Sequence, residues 1–139
     1  MSVEFIDTNI LIYAHDGSAG PKHTASVDLL TRLFDDHNGA LSVQILTEFY
    51  SAATKKLGIK PEEAEEIVAD LGGWTIHRPG HSDVVQASRL YRRHKLAWWD
   101  ALVVHSAMEL GCAILWTEDL SHGRRFGTVE IRNPFREER

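Results

Sequence analysis

The sequence predicts an α/β fold: a single domain over residues 1–139, with a mostly parallel sheet flanked by helices on both faces. Three observations predict it. Five short apolar segments, VEFI (3–6), ALSV (40–43), WTIH (74–77), AILW (113–116) and VEI (129–131), have strand length. Stretches with helical periodicity separate them, which is the alternation expected of parallel strands joined by helical crossovers. The chain of 139 residues, 43% hydrophobic and 25% charged, supplies one sizeable core and has an ordinary globular composition.

The elements follow in order. After the first strand, residues 8–15 read as a helix or a turn and helix. DGSAGP at 16–21 is loop chemistry, and Pro21 suits the first turn of a helix running to about residue 36. Val27, Leu30, Leu33 and Phe34 mark its apolar face, and His37-Asn38-Gly39 ends it. A helix at 44–57 follows the second strand and is closed by Gly58. Pro61 opens another that stops at Gly72-Gly73. Ser82 is placed to cap a helix at 83–95. The last helix, 98–110, ends at Gly111. Residues 132–139 are expected to form a flexible tail, and no repeat or low-complexity segment occurs.

Composition excludes several classes. The longest apolar run, Ile10 to Ala14, is five residues, against roughly 20 for a membrane span. The N-terminus carries no signal-peptide pattern, and Cys112 is the only cysteine, so the expected setting is reducing and cytoplasmic. The formal charge of −5 argues against nucleic-acid binding through a broad basic surface. It leaves room for an enzyme that brings cations to a cluster of acids. His77 and His81 are four apart, but Pro79 and Gly80 between them prevent a shared helix face, which weighs against a zinc site.

The acids carry the chemistry. Asp7 sits at the seam between two apolar segments, where a carboxylate is costly unless a helix N-terminus, a basic side chain or a metal compensates it. Asp100 heads the stripe Asp100, Val103, Val104, Ala107, Gly111, so it belongs to the apolar face of its helix. Taken alone, it also suits a first helical turn, favoured by the macrodipole. Glu48 lies about 200° round the wheel from Leu46 and reads as solvated, although Ile45 and Ala52 flank it. Asp119 follows the fourth strand in WTEDLSHG, as an acid in a turn or as a ligand at the strand end near Thr117, with Glu118 as its competitor. In parallel sheets ligands bind outside the carboxyl ends of the strands, the edge where Asp7 and Asp119 fall. Clustered carboxylates repel one another without a hard divalent cation and make sense with one or two.

FIDTNILIYA, LTEFYSA, WWDALVVHSA and WTEDLSHG, in this order and at this spacing, resemble the PIN-domain family, and within it the VapC-type toxins of toxin–antitoxin pairs. The resemblance covers nearly the whole chain. It implies a five-stranded parallel sheet and a metal site made by Asp7, Glu48, Asp100 and Asp119, the last favoured over Glu118 by its spacing from Thr117. Thr8, Asn9 and Thr117 match the family's polar residues beside the metals. It further implies dependence on Mg²⁺ or Mn²⁺, endonucleolytic cleavage of RNA, a homodimer and inhibition by a cognate antitoxin.

For RNA contact the sequence offers the run 89–95, with Arg89, Arg92, Arg93 and Lys95, and then Arg124 and Arg125. A solvated helix face is the simpler reading of the run. Two other functions compete. A haloacid-dehalogenase-like phosphatase also starts with an Asp after a strand but needs a second acid two residues on, where Asn9 stands. A non-catalytic PIN-fold module for RNA or protein contact is opposed by the complete set of acids.

Overall fold

The computed structural model describes residues 2–136. Its sheet has six strands in the order β3-β2-β1-β4-β6-β5. These are β1 Glu4–Ile6, β2 Gly39–Ser42, β3 Thr75–His77, β4 Ile114–Trp116, β5 Arg125–Phe126 and β6 Val129–Arg132. Five of them run parallel, as the sequence predicts. The sixth, β5, pairs antiparallel with β6 through Phe126↔Val129. A two-residue loop joins them, and Gly127 at φ +60° supplies the positive φ such a tight hairpin requires. Two residues are too few to show alternation, so β5 left no apolar signal.

The helices are α1 Thr8–Ala14, α2 Pro21–Asp36, α3 Val43–Lys55, α4 Pro61–Asp70, α5 His81–His94 and α6 Trp98–Glu109. The crossovers from β1 to β2 to β3 travel one way across the sheet, and that from β3 to β4 returns the other way. Right-handed connections therefore put α1–α4 on one face and α5–α6 on the other. The packing agrees: α1 contacts α2 and α3, α3 contacts α4, and α5 contacts α6. The strand order reverses between β1 and β4, which opens a crevice at their carboxyl ends.

Both sheet faces are covered, so β1 and β2 are buried at every residue. The core joins Phe5, Ile6, Leu41, Leu115 and Ile131 to Ile10, Leu33, Phe49 and Val104, all fully inaccessible. Glu4 is buried in the central strand and receives Arg32 through both guanidinium nitrogens, at 2.9 and 3.2 Å, with Trp116 Nε1 at 2.8 Å and Asn38 Nδ2 at 3.1 Å. Burial pushes its carboxyl up, and these hydrogen bonds outweigh the burial and hold it below the usual glutamate range.

Three local details differ from the sequence reading. Ser42 ends β2 and caps α3, its Oγ accepting from Ile45 N at 3.4 Å. Gly80, not Ser82, is the cap residue of α5; Asp83 reaches back to accept from Gly80 N at 2.7 Å. The stretch 132–139 opens inside β6, and Phe135 packs edge-on against Tyr13 at 5.2 Å between centroids; residues 137–139 lie outside those described. His77 Nδ1 bonds Ser106 Oγ at 2.8 Å, and His105 Nε2 bonds Asp83 Oδ1 at 2.8 Å, which ties β3 and α5 to α6.

Candidate metal centre

Asp7 stands where β1 ends and α1 begins. Its backbone is extended, and its Oδ1 accepts from Thr8 N at 2.7 Å, so it caps α1. The register Ile6↔Trp116 sets the end of β4 beside it, and Asp7 N bonds Trp116 O at 3.0 Å. Thr117, fully buried, donates through Oγ1 to Asp7 Oδ2 at 2.8 Å and accepts from Asp119 N at 3.1 Å. One hydroxyl thus couples the first acid to the turn that carries the last.

Asp119 is exposed, and its Oδ2 accepts from Asn9 Nδ2 at 3.0 Å. Its neighbour Glu118 turns elsewhere: Oε2 pairs with Lys22 Nζ at 2.8 Å and Oε1 accepts from the Tyr13 hydroxyl. Burial pushes Glu118 up, but the bonds from Lys22 and Tyr13 outweigh it and hold the carboxyl below its usual range. Glu118 is already neutralised, and Asp119 is the acid left facing the crevice.

Asp100 comes from the first turn of α6 and is half-buried. A carboxylate oxygen from each of Asp7, Asp100 and Asp119 lies within 4.8 Å of the others. Glu48 is exposed on α3, as its helix wheel predicts, yet it lines the same cleft. Its Oε1 accepts from Thr8 Oγ1 at 3.1 Å and from Gln44 Nε2 at 3.1 Å.

The electrostatics follow from this crowding. Burial pushes Asp7 up to about 6, the hydrogen bonds from Thr117 and Thr8 oppose it, and the charges of Asp119 and Asp100 add to the rise. Asp100 is raised by burial and then by Asp119 and Glu48. Asp119 is raised by burial and then by Glu118, against the Asn9 bond and Lys22. Among the described residues no Lys, Arg or His forms an ion pair with any of the three. Converging oxygen donors, a buried carboxylate and the lack of an ion-pair partner among the described residues fit a hard divalent cation.

The cations lie differently from the sequence reading. The cleft of about 570 Å³ that holds the acids is lined by Lys55 and Lys56 and by none of the 89–95 run. Arg89 and Arg93 line a separate groove with His105, Met108 and Glu109. Arg124 lies over the Phe126 ring at 4.6 Å, and Arg125 pairs with Glu130 at 2.9 Å. A signal for Lys55 was present: it is seven residues after Glu48, two turns along the same helix face.

Family comparison agrees with this geometry. The PIN domain family model matches residues 5–125, and the chain belongs to that family. No curated protein matches it in sequence. Among solved structures it is similar to FitAB bound to an IR36 DNA fragment, with TM-score 0.71 and 17% identity over 99% of both chains. It is similar to the DNA-bound VapBC of Salmonella typhimurium, with TM-score 0.66 and 18% identity over 96% of this chain and 99% of that one. It is also similar to the sarcin-ricin loop cleaving toxin VapC20 of Mycobacterium tuberculosis, with TM-score 0.61 and 14% identity over 81% and 86%.

Proposed function

We propose that this chain is a metal-dependent endoribonuclease and the toxin of a toxin–antitoxin pair. The observation that carries the reading is the convergence of Asp7, Asp100 and Asp119 at the β1/β4 switch point, with no ion pair to any of the three among the described residues. Asp7, fixed by Thr8 and Thr117, holds metal together with Asp100 and Asp119, directly or through water. Glu48, oriented by Thr8 and Gln44, holds metal or orients the attacking water. Asn9 fixes Asp119. Mg²⁺ or Mn²⁺ held there would activate a water for in-line attack on phosphorus and offset charge on the leaving oxygen.

An RNA substrate is supported by the likeness to a toxin that cleaves the sarcin-ricin loop, and an antitoxin partner by the likeness to VapBC and FitAB assemblies. An arginine from such a partner would suit the three carboxylates, since its planar fork pairs them well. The protein acts in the cytoplasm as a homodimer. Arg89, Arg92, Arg93, Lys95, Arg124 and Arg125 are candidates for holding RNA backbone away from the cut. Cleavage of an RNA panel is expected with Mg²⁺ or Mn²⁺, poorly with Ca²⁺, whose looser coordination positions water less well, and not with EDTA. Full activity in EDTA would overturn the reading.

A further inference from the structure

Trp99 raises a question the acids leave open. It precedes Asp100 in the first turn of α6 and is 62% exposed. Its neighbour Trp98 is only partly accessible and packs edge-on against Tyr91 at 6.0 Å between centroids. Nine large apolar side chains of the described residues are exposed, and Trp99 is the only one of them that lines the acid cleft. A Trp left in water beside converging carboxylates contributes nothing to the core. The cleft also has a basic side. Lys55 and Lys56, at the C-terminal end of α3, line it, are exposed and form no ion pair among the described residues. Their place at a helix C-terminus is favourable for the dipole, which explains their charge but not the ring facing the same cleft.

Resting on the nuclease reading above, we propose that Trp99 is the stacking platform for an unpaired nucleobase flanking the scissile phosphate. Lys55 and Lys56 hold the backbone of the same strand. An indole accepts the face of any base, and a base can reach it only when it is unstacked from its own neighbours. The subsite therefore admits single-stranded, looped or bulged RNA and rejects the interior of a duplex. Trp99 and Asp100 line the same cleft, so a base stacked on the ring belongs to the strand that meets the metal-binding oxygens.

The test is a kinetic double-mutant cycle on a short single-stranded RNA. Wild type, Trp99→Ala and Trp99→Phe are each assayed on the intact strand and on strands with an abasic site on either side of the cut. Trp99→Ala is expected to raise KM about 10-fold or more, within the range of one base–aromatic stack, with little change in kcat. Trp99→Phe should recover most of the loss, and all three proteins should melt alike because the ring is exposed. One abasic position should cost wild type the same factor and cost Trp99→Ala nothing further. Lys55→Ala with Lys56→Ala should lower the salt dependence of KM.

Trp99→Ala with wild-type KM, or abasic losses that simply add to it, would overturn the platform while leaving the nuclease reading intact. A Trp99→Ala that cuts normally but no longer binds the antitoxin would assign the ring to protein contact instead, and would also overturn it. A wild type that cuts no RNA with either metal would defeat the nuclease reading and the platform together.

Discussion

At the scale of single residues, Asp7 has two tasks in tension. It caps α1 with one oxygen and accepts the Thr117 hydroxyl with the other, and it is buried beside two further acids. Its folded pKa of about 6 lies above the ordinary 3.8, so the folded protein binds this proton more tightly than the unfolded chain does. Stability from this group is present at low pH and is lost as pH rises through about 6. The shift corresponds to roughly 3 kcal/mol. Denaturant melts in EDTA should therefore show the wild type losing stability from about pH 4 to about pH 6.5 and levelling off above, and Asp7→Asn should flatten that slope. An unchanged slope in the mutant would mean that other groups set it. Mg²⁺ should remove much of the loss by favouring the ionised carboxylates. The choice between Glu118 and Asp119 belongs to this scale as well. Spacing from Thr117 favoured Asp119, but the reason, that Lys22 and Tyr13 already hold Glu118, joins residues about a hundred positions apart and was invisible in the sequence. Lys55 and Lys56 line the cleft, but two lysines at a helix end are a weaker signal in the sequence than the denser RLYRRHK run.

At the scale of elements, most boundaries were legible because local chemistry fixes them. Pro21 and Pro61 open α2 and α4 as expected, and Gly111, at φ +67°, follows the end of α6. The α6 stripe was read only in part. His105 and Ser106 are buried with Val103, Val104 and Ala107, because Asp83 and His77 from neighbouring elements satisfy them, and a hydropathy stripe does not count polar residues whose partners are distant. Gly39 illustrates a constraint of packing rather than of backbone freedom. A Cβ there would meet the Trp74 ring at 2.5 Å, with β2 held between β1 and β3. Gly39→Ala should cost about 1–3 kcal/mol by overpacking, and adding Trp74→Ala should cost less than the two single losses combined. Strict additivity in chemical melts would show that the ring does not press on this position.

At the scale of the whole molecule, the reversal of strand order between β1 and β4 does the work of assembly. It brings the end of β1, the turn after β4, the start of α6 and the outer face of α3 to one edge, although their acids are spread from residue 7 to residue 119. The alternation of strands and helices made that edge legible for Asp7 and Asp119. It could not place Glu48, whose helix wheel says exposed and is right, because the cleft itself is the solvent it faces. If the chain cleaves RNA as proposed, its formal charge of −5 and its acids at one edge require contact through a metal and local cations, and filter-binding titrations should show affinity falling with salt less steeply than for a protein with a broad basic face; an equally steep fall would contradict this.

The central claim is that Asp100 and its neighbours are held together for a cation and not for the fold. It is tested most directly by denaturant melts of wild type and Asp100→Asn, each in EDTA and in Mg²⁺. If the acids await metal, Asn keeps the shape and removes a repelling charge. Stability in EDTA should then hold or rise, and Mg²⁺ should stabilise the wild type more than the mutant by the added RT ln(1 + [L]/Kd). If Asp100 instead serves as a structural partner in the first turn of α6, the mutant should be less stable in EDTA, by roughly 0.3–1 kcal/mol for a lost dipole interaction, and should gain as much from Mg²⁺ as the wild type. That second result would contradict the account.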